Sequence, residues 1–174
     1  GFETLQLHAG QEQPDPAKPS DDASWKEIHD YVCSKTSRRI SVAQINDYIR
    51  RLHEHGMFAL MYFNPTESWK PWISENYPDA LATNANGEPY RAWYESLMVC
   101  PEPDSRWGRH LLDEFQKMMD LYPEADGFFM DQSCYDHLDY AHDDGWTIHN
   151  GRTAYRMGWA IGRLNLECRK LAKA

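Results

Sequence analysis

Met57-Phe58-Ala59-Leu60-Met61-Tyr62-Phe63 is an unbroken apolar run, opened by Gly56 and stopped by Asn64-Pro65. Such a run fits a strand buried on both faces, the kind that parallel sheets contain. The residues before it set up a helix. Ser41 followed by Gln44 fits a capping box, and Val42, Ile45, Ile49 and Leu52 recur at helical spacing. Gly56 stands where a helix-ending glycine belongs. Helix followed directly by buried strand is part of a βαβ unit.

The same alternation continues in both directions. Residues 2–7 alternate apolar and polar as a strand does, and His8-Ala9-Gly10 ends them. Residues 11–24 carry Pro14, Pro16 and Pro19 and read as an irregular loop. Residues 25–33 fit a short helix with Ile28, Tyr31 and Val32 inward. Beyond the central run, residues 66–103 read as one long loop carrying Trp69, Trp72, Tyr77, Tyr90, Trp93 and Tyr94. It holds a turn at Asn84-Ala85-Asn86-Gly87-Glu88-Pro89, with a short hairpin beside it at Tyr90-Arg91-Ala92-Trp93. A loop this long in a compact domain is usually functional. Asp104 or Ser105 can cap the next helix, whose stripe is Trp107, Leu111, Phe115, Met118 and Tyr122 and which Pro123 ends. Asp126-Gly127-Phe128-Phe129-Met130-Asp131 is a second short buried strand, finishing in a carboxylate. A polar loop over residues 132–151 leads to a last helix with Met157, Ile161, Leu164, Cys168 and Leu171 on one side.

Strand and helix thus alternate three times, the order that builds a parallel sheet with helices outside it. Long aromatic loops follow the strands and short turns precede them. That asymmetry belongs to a barrel whose active site lies at the C-terminal strand ends, and a complete one takes about 250 residues. The chain has 174. The expected fold is therefore α/β, a single domain over residues 1–174 made of consecutive βα units of an incomplete TIM (β/α)8 barrel. The remaining barrel segments of a parent chain are its expected partners, and the start at Gly1 suggests processing or excision.

Composition narrows the function classes. With 41% hydrophobic residues the chain can build a core, which excludes disorder. A formal charge of −9 argues against a nucleic-acid partner. No apolar run approaches the roughly 20 residues of a membrane span, and no basic-then-apolar leader opens the chain. Cys33, Cys100, Cys134 and Cys168 form no C-x-x-C pair and are expected mostly as free thiols. Phosphate-loop and dinucleotide motifs are missing, so no cofactor is expected.

Reactive residues in such a sheet belong at strand ends. Asp131 is the sharpest candidate, because a carboxylate directly after Phe128-Phe129-Met130 emerges at the mouth of the sheet. His8, Tyr62, Asn64 and Gln132 are polar strand-end residues able to bind hydroxyl groups. Trp69, Trp72 and Trp93 are suited to stacking on the apolar faces of sugar rings, with packing of the loop as the plainer role for each. Asp143 follows the strand that carries Asp131 and can shape a subsite.

Asp126-Gly127-Phe128-Phe129-Met130-Asp131-Gln132, preceded by a helix ending Leu121-Tyr122-Pro123, resembles the fourth-strand region of (β/α)8 glycoside hydrolases. The alpha-galactosidase and alpha-glucosidase clan and the dextranase-like enzymes come closest. Ile45-Asn46-Asp47-Tyr48-Ile49 and His53-Glu54-His55-Gly56, running into the apolar run, are similar to their preceding helix and strand. The resemblance implies an oligo- or polysaccharide substrate and a retaining mechanism with Asp131 as nucleophile. Retention needs a proton donor roughly 5–5.5 Å from the nucleophile. Within the chain Glu67 is the nearby carboxylate for that role, with sugar-hydroxyl binding or loop solvation as simpler ones.

Two other readings stay open. The chain could be a non-catalytic carbohydrate-binding or scaffold fragment in which Asp131 only binds sugar. Alternatively Asp136-His137-Leu138-Asp139-Tyr140-Ala141-His142-Asp143-Asp144 could serve a metal-dependent hydrolase. On a helix His137 and His142 would stand about 140° apart, and no H-E-x-x-H spacing occurs. The run is therefore expected as a solvated loop, with no metal.

Overall fold

A computed structural model of the chain describes residues 4–7, 30–32, 39–92, 96–133 and 136–173. By their contacts they fall into two compact units, one from residues up to 63 with 114–131, the other from 64–113 with 132 onward.

The first unit opens with β1 (Thr4–Leu7), then β2 (Asp30–Val32) and β3 (Arg39–Ser41). The expected helix over 25–33 is not formed at 30–32. Asp30, Tyr31 and Val32 pair antiparallel with Ser41, Ile40 and Arg39. Three apolar residues were too few to separate the two periodicities, and Tyr, Val and Ile favour pleated surfaces. Ser41 then caps α1 (Val42–Glu54), its side chain accepting from Gln44 N at 3.4 Å. Val42, Ile49 and Leu52 are buried as the spacing requires. Gly56 takes a positive φ of 70°, the left-handed turn-off that a side chain resists.

β4 (Phe58–Phe63) follows at once and is the middle strand of a parallel sheet in the order β1-β4-β7. The strand is not buried on both faces. Ala59, Met61 and Phe63 are buried, whereas Phe58 is 49% exposed and Leu60 and Tyr62 are half-buried. The run therefore splits into a buried side and a half-open side.

The second unit begins with β5 (Glu67–Trp69), α2 (Lys70–Asn76) and a 3-10 turn at Pro78–Ala80, and continues to β6 (Ser96–Met98). Residues 66–103 are therefore a folded segment rather than one long loop. β5 pairs antiparallel with β6, and Leu81 and Val99 bridge alongside. The turn at 84–89 forms as expected: Thr83 bridges Pro89, and Asn84 Oδ1 accepts from Asn86 N at 2.9 Å and Glu88 N at 3.1 Å. What composition did not display is that short strands 30 residues apart in sequence pair with one another.

α3 (Arg106–Leu121) is capped by Ser105, whose Oγ accepts from Gly108 N at 2.9 Å. All five residues of its expected stripe are buried. Phe115 sits against Phe63 (5.5 Å, edge-on) and Phe128 (4.2 Å) and so covers the closed side of the sheet. β7 (Gly127–Met130) pairs parallel with β4, Leu60↔Gly127 through Phe63↔Met130. It too is only half-buried, with Phe129 36% exposed.

At the N-terminal end of this pair Asp126 Oδ2 accepts from Ala59 N at 2.7 Å and meets His53 Nε2 at 2.9 Å. Partial burial works against its charge, but these two donors outweigh it and hold Asp126 below the usual carboxylate range.

Residues 132–151, expected as loop, contain β8 (Leu138–Asp139) and β9 (Ile148–His149). β10 (Arg152–Thr153) pairs with β9, and β11 (Tyr155–Arg156) with β8. α4 (Met157–Leu171) closes the chain with Met157, Ile161, Leu164 and Cys168 buried. Cys100 and Cys168 are free and buried, in line with the expectation for them, while Cys33 and Cys134 lie outside the described residues.

Two outcomes follow from the first unit. Phe115→Ala is expected to lower stability by about 3–5 kcal/mol in urea unfolding, since a buried ring between two others leaves a cavity. For Asp126 the lowered folded pKa means stability that is full above the ordinary Asp range and lost as pH falls through the folded value. The stability gap between wild type and Asp126→Asn should then be widest near about pH 7 and shrink below about pH 4.

Candidate active site

The parallel ladder continues one residue past β7, Asp131 N donating to Phe63 O at 2.8 Å. Residues 129 and 131 share a face at strand spacing, and Phe129 lies opposite Tyr62 in the register. Tyr62 and Asp131 are thereby brought together: the phenol donates to Asp131 Oδ2 at 2.6 Å. Phe129 supports the Tyr62 ring from 6.2 Å in a stacked arrangement. A hydroxyl on a carboxylate at this length is a charge-assisted bond, stronger than a neutral one. It fixes one oxygen of Asp131.

Directly after Asp131 the backbone enters the left-handed region, with φ +56° at Gln132. Outside glycine, asparagine and aspartate this conformation is uncommon and costs about 1 kcal/mol or more. Strain of this kind gathers at functional sites.

The remaining expected site residues are placed as follows. Asn64 is buried, and its Oδ1 accepts from Thr66 N and Thr66 Oγ1, both at 3.1 Å, so that oxygen serves the turn after β4. Glu67 opens β5 opposite Met98 and is half-buried. Trp69 ends β5, half-buried, at the start of α2. Trp72 packs with Tyr77, Trp107 and His110 at ring distances of 5.3, 6.0 and 5.6 Å, which is the packing role. Asp143 is exposed, and its Oδ1 accepts from Gly145 N at 2.7 Å. Its neighbour Asp144 organises the hairpin, taking Trp146 N, Thr147 N, Thr147 Oγ1 and Arg156 N. Slight burial opposes the charge, yet those donors hold Asp144 down to about 2. The hairpin thus carries Trp146 at 91% exposure. His8 and Trp93 lie outside the described residues.

A second constellation was not foreseen as such. Asp139, expected in a solvated run, is 0% exposed. Its Oδ1 accepts from Thr83 N and Ala141 N, both at 2.9 Å, and its Oδ2 meets His142 Nδ1. His142 Nε2 faces Asp79 O at 2.7 Å. Burial by itself disfavours the imidazolium, but Asp139 overrides it and raises the pKa of His142. Cys100 stands in the same group, its sulfur, an Asp139 oxygen and a His142 nitrogen all within 4.8 Å of one another. Burial first, then Asp139, pushes the Cys100 thiol far above its ordinary range. The Asp139-x-x-His142 pair was visible in the sequence; its meeting with Cys100, 39 residues before Asp139, was not.

Among solved structures the chain is similar to the catalytic module of the multi-modular glycogen-degrading pneumococcal virulence factor SpuA, with 18% identity and a TM-score of 0.50 over 82% of this chain and 17% of that one. It is also similar to a noncanonic maltogenic alpha-amylase, AmyB from Thermotoga neapolitana (16% identity, TM-score 0.45, 72% of this chain and 29% of that one). A third is a cycloalternan-degrading enzyme from Trueperella pyogenes (13%, 0.45, 97% and 26%). The chain spans less than a third of each of these proteins. The likeness to the SpuA module is one of fold. No protein-family model and no curated protein matches the chain.

Replacing Gln132 by glycine relieves the left-handed backbone. Gln132→Gly is expected to leave stability unchanged or raise it by up to about 1 kcal/mol in thermal or urea unfolding, where a glycine in an ordinary loop would lower it.

Proposed function

We propose that the chain is a consecutive portion of a (β/α)8 glycoside hydrolase barrel, acting on an oligo- or polysaccharide with retention of configuration. The observation that carries the reading is the Tyr62–Asp131 hydrogen bond at the C-terminal ends of two adjacent parallel strands, the end where barrel enzymes keep their chemistry. The sequential order β1-β4-β7, with α1 and α3 as the connecting helices, supports the barrel rather than a doubly wound sheet, whose strand order reverses.

In this reading Asp131 Oδ1, the oxygen not engaged by Tyr62, attacks the anomeric carbon as the bond to the leaving oxygen breaks. A second carboxyl group gives that oxygen its proton. Water then takes the sugar from Asp131, passing a proton back to the same group acting as base. Glu67 is the candidate for that group within the chain; a carboxylate from the remaining barrel is the alternative. Tyr62 steadies Asp131 and spreads its charge. Gln132, with Asn64, His8 and Asp143, serves sugar hydroxyls, and Trp69 and Trp93 serve ring faces.

The test is covalent trapping. An activated 2-fluoro-glycoside, offered as gluco- and galacto-forms, should leave a sugar adduct on the peptide containing Asp131, found by mass spectrometry. Asp131→Asn should abolish the adduct while sugar binding persists. An adduct on another carboxylate, or full hydrolytic activity in Asp131→Asn, would overturn the assignment. Sugar binding with no adduct and no hydrolysis would favour the carbohydrate-binding reading instead.

A further inference from the structure

None of Cys100, Asp139 and His142 is assigned to sugar chemistry, and each of them is held in place. We propose that Cys100 Sγ, Asp139 Oδ2 and His142 Nδ1 form a binding site for a divalent transition metal of the zinc class. The inference is independent of the glycosidase reading.

Three observations support it. The Cys100 sulfur, an Asp139 oxygen and a His142 nitrogen are mutually within 4.8 Å, a spacing one ion can bridge with Zn–S near about 2.3 Å and Zn–N or Zn–O near about 2.0–2.2 Å. Thiolate, imidazole and carboxylate together suit zinc and its neighbours rather than magnesium or calcium, which take oxygen ligands.

The outer partners are those that metal ligands keep. His142 Nε2 faces the Asp79 carbonyl at 2.7 Å, which fixes the ring and leaves Nδ1 as the ligating nitrogen. Asp139 Oδ1 is held by Thr83 N and Ala141 N, so Oδ2 is the oxygen turned to the ion.

The third observation is that the obvious rival does not fit. A Cys–His–Asp group can also be a nucleophile with its base, but here the imidazole spends one nitrogen on Asp139 and the other on a backbone carbonyl. Nothing is left to take the thiol proton, and burial opposes a free thiolate. A metal resolves both: it replaces the proton between His142 and Asp139 and displaces the thiol proton, so binding releases both to solvent. His142 keeps 24% of its side chain exposed, a route by which the ion enters and a water completes its shell. The ion would join the segment around Ala80, where Cys100 N donates to Ala80 O at 2.8 Å, to the 139–142 turn.

Cobalt(II) titration of the purified protein reads this directly. Saturation at about one equivalent is expected, with a thiolate-to-cobalt charge-transfer band in the near ultraviolet that zinc bleaches. Cys100→Ser should lose the band and Cys168→Ser keep it. His142→Gln, a second variant that retains a donor for Asp139, should bind at least about tenfold more weakly. Saturating cobalt should also raise the thermal midpoint of wild type but not of Cys100→Ser. Folded wild type showing no such band in excess cobalt, or a band that survives in Cys100→Ser, would overturn the proposal.

Discussion

The hydrogen bond between Tyr62 and Asp131 exists because β4 and β7 run parallel in one particular register. Strand side chains alternate with period two, so a slip of one residue would send Asp131 to the face that Phe115 covers. The register is held at both ends. At the N-terminal end Asp126 ties β7 to Ala59 and His53; at the other, Asp131 N continues the ladder to Phe63 O. Between them the ring of Phe115 locks Phe63 against Phe128. The chemistry proposed for Asp131 depends on this alignment more than on any single loop.

The two sides of the sheet differ in consequence. Ala59, Met61 and Phe63 are buried, whereas Phe58, Leu60, Tyr62 and Phe129 remain half-buried or exposed. In a closed barrel the inward side is filled by layers of branched and aromatic side chains, so an apolar but half-open face is what a partial barrel would present. Positive φ at Gln132 ends the strand sharply at the same point. A carboxylate at a strand end, hydrogen-bonded by a phenol and followed by left-handed backbone, is the feature on which the proposed chemistry rests.

Local signals in the sequence were accurate where the physics was local. Ser41 with Gln44, Gly56, Ser105 and the stripe from Trp107 to Tyr122 each depend on residues within a few turns of helix, and each took its expected place. Asp131 at a strand end was legible for the same reason, and so was the turn at Asn84. Tyr62 was singled out as a polar strand-end residue, but not its contact with Asp131, which needed the β4–β7 register. Residues 66–103 were misread because β5 finds its partner nearly 30 residues on. Asp139 was misread because an acidic residue in a polar run looks solvated unless one knows that Thr83 N and Ala141 N need an acceptor there. Cys100 gave no signal beyond its place in an apolar stretch. Long-range pairing and buried polar hubs are set by three-dimensional context, which periodicity does not encode.

The central claim is that Asp131 Oδ1 faces the reacting carbon of a bound sugar while Tyr62 holds Oδ2. A crystal structure of Asp131→Asn with a bound oligosaccharide measures this most directly. The expected result is an anomeric carbon in contact with the side chain of residue 131, on the side away from the Tyr62 hydroxyl. A sugar bound elsewhere, with residue 131 turned from it, would contradict the claim.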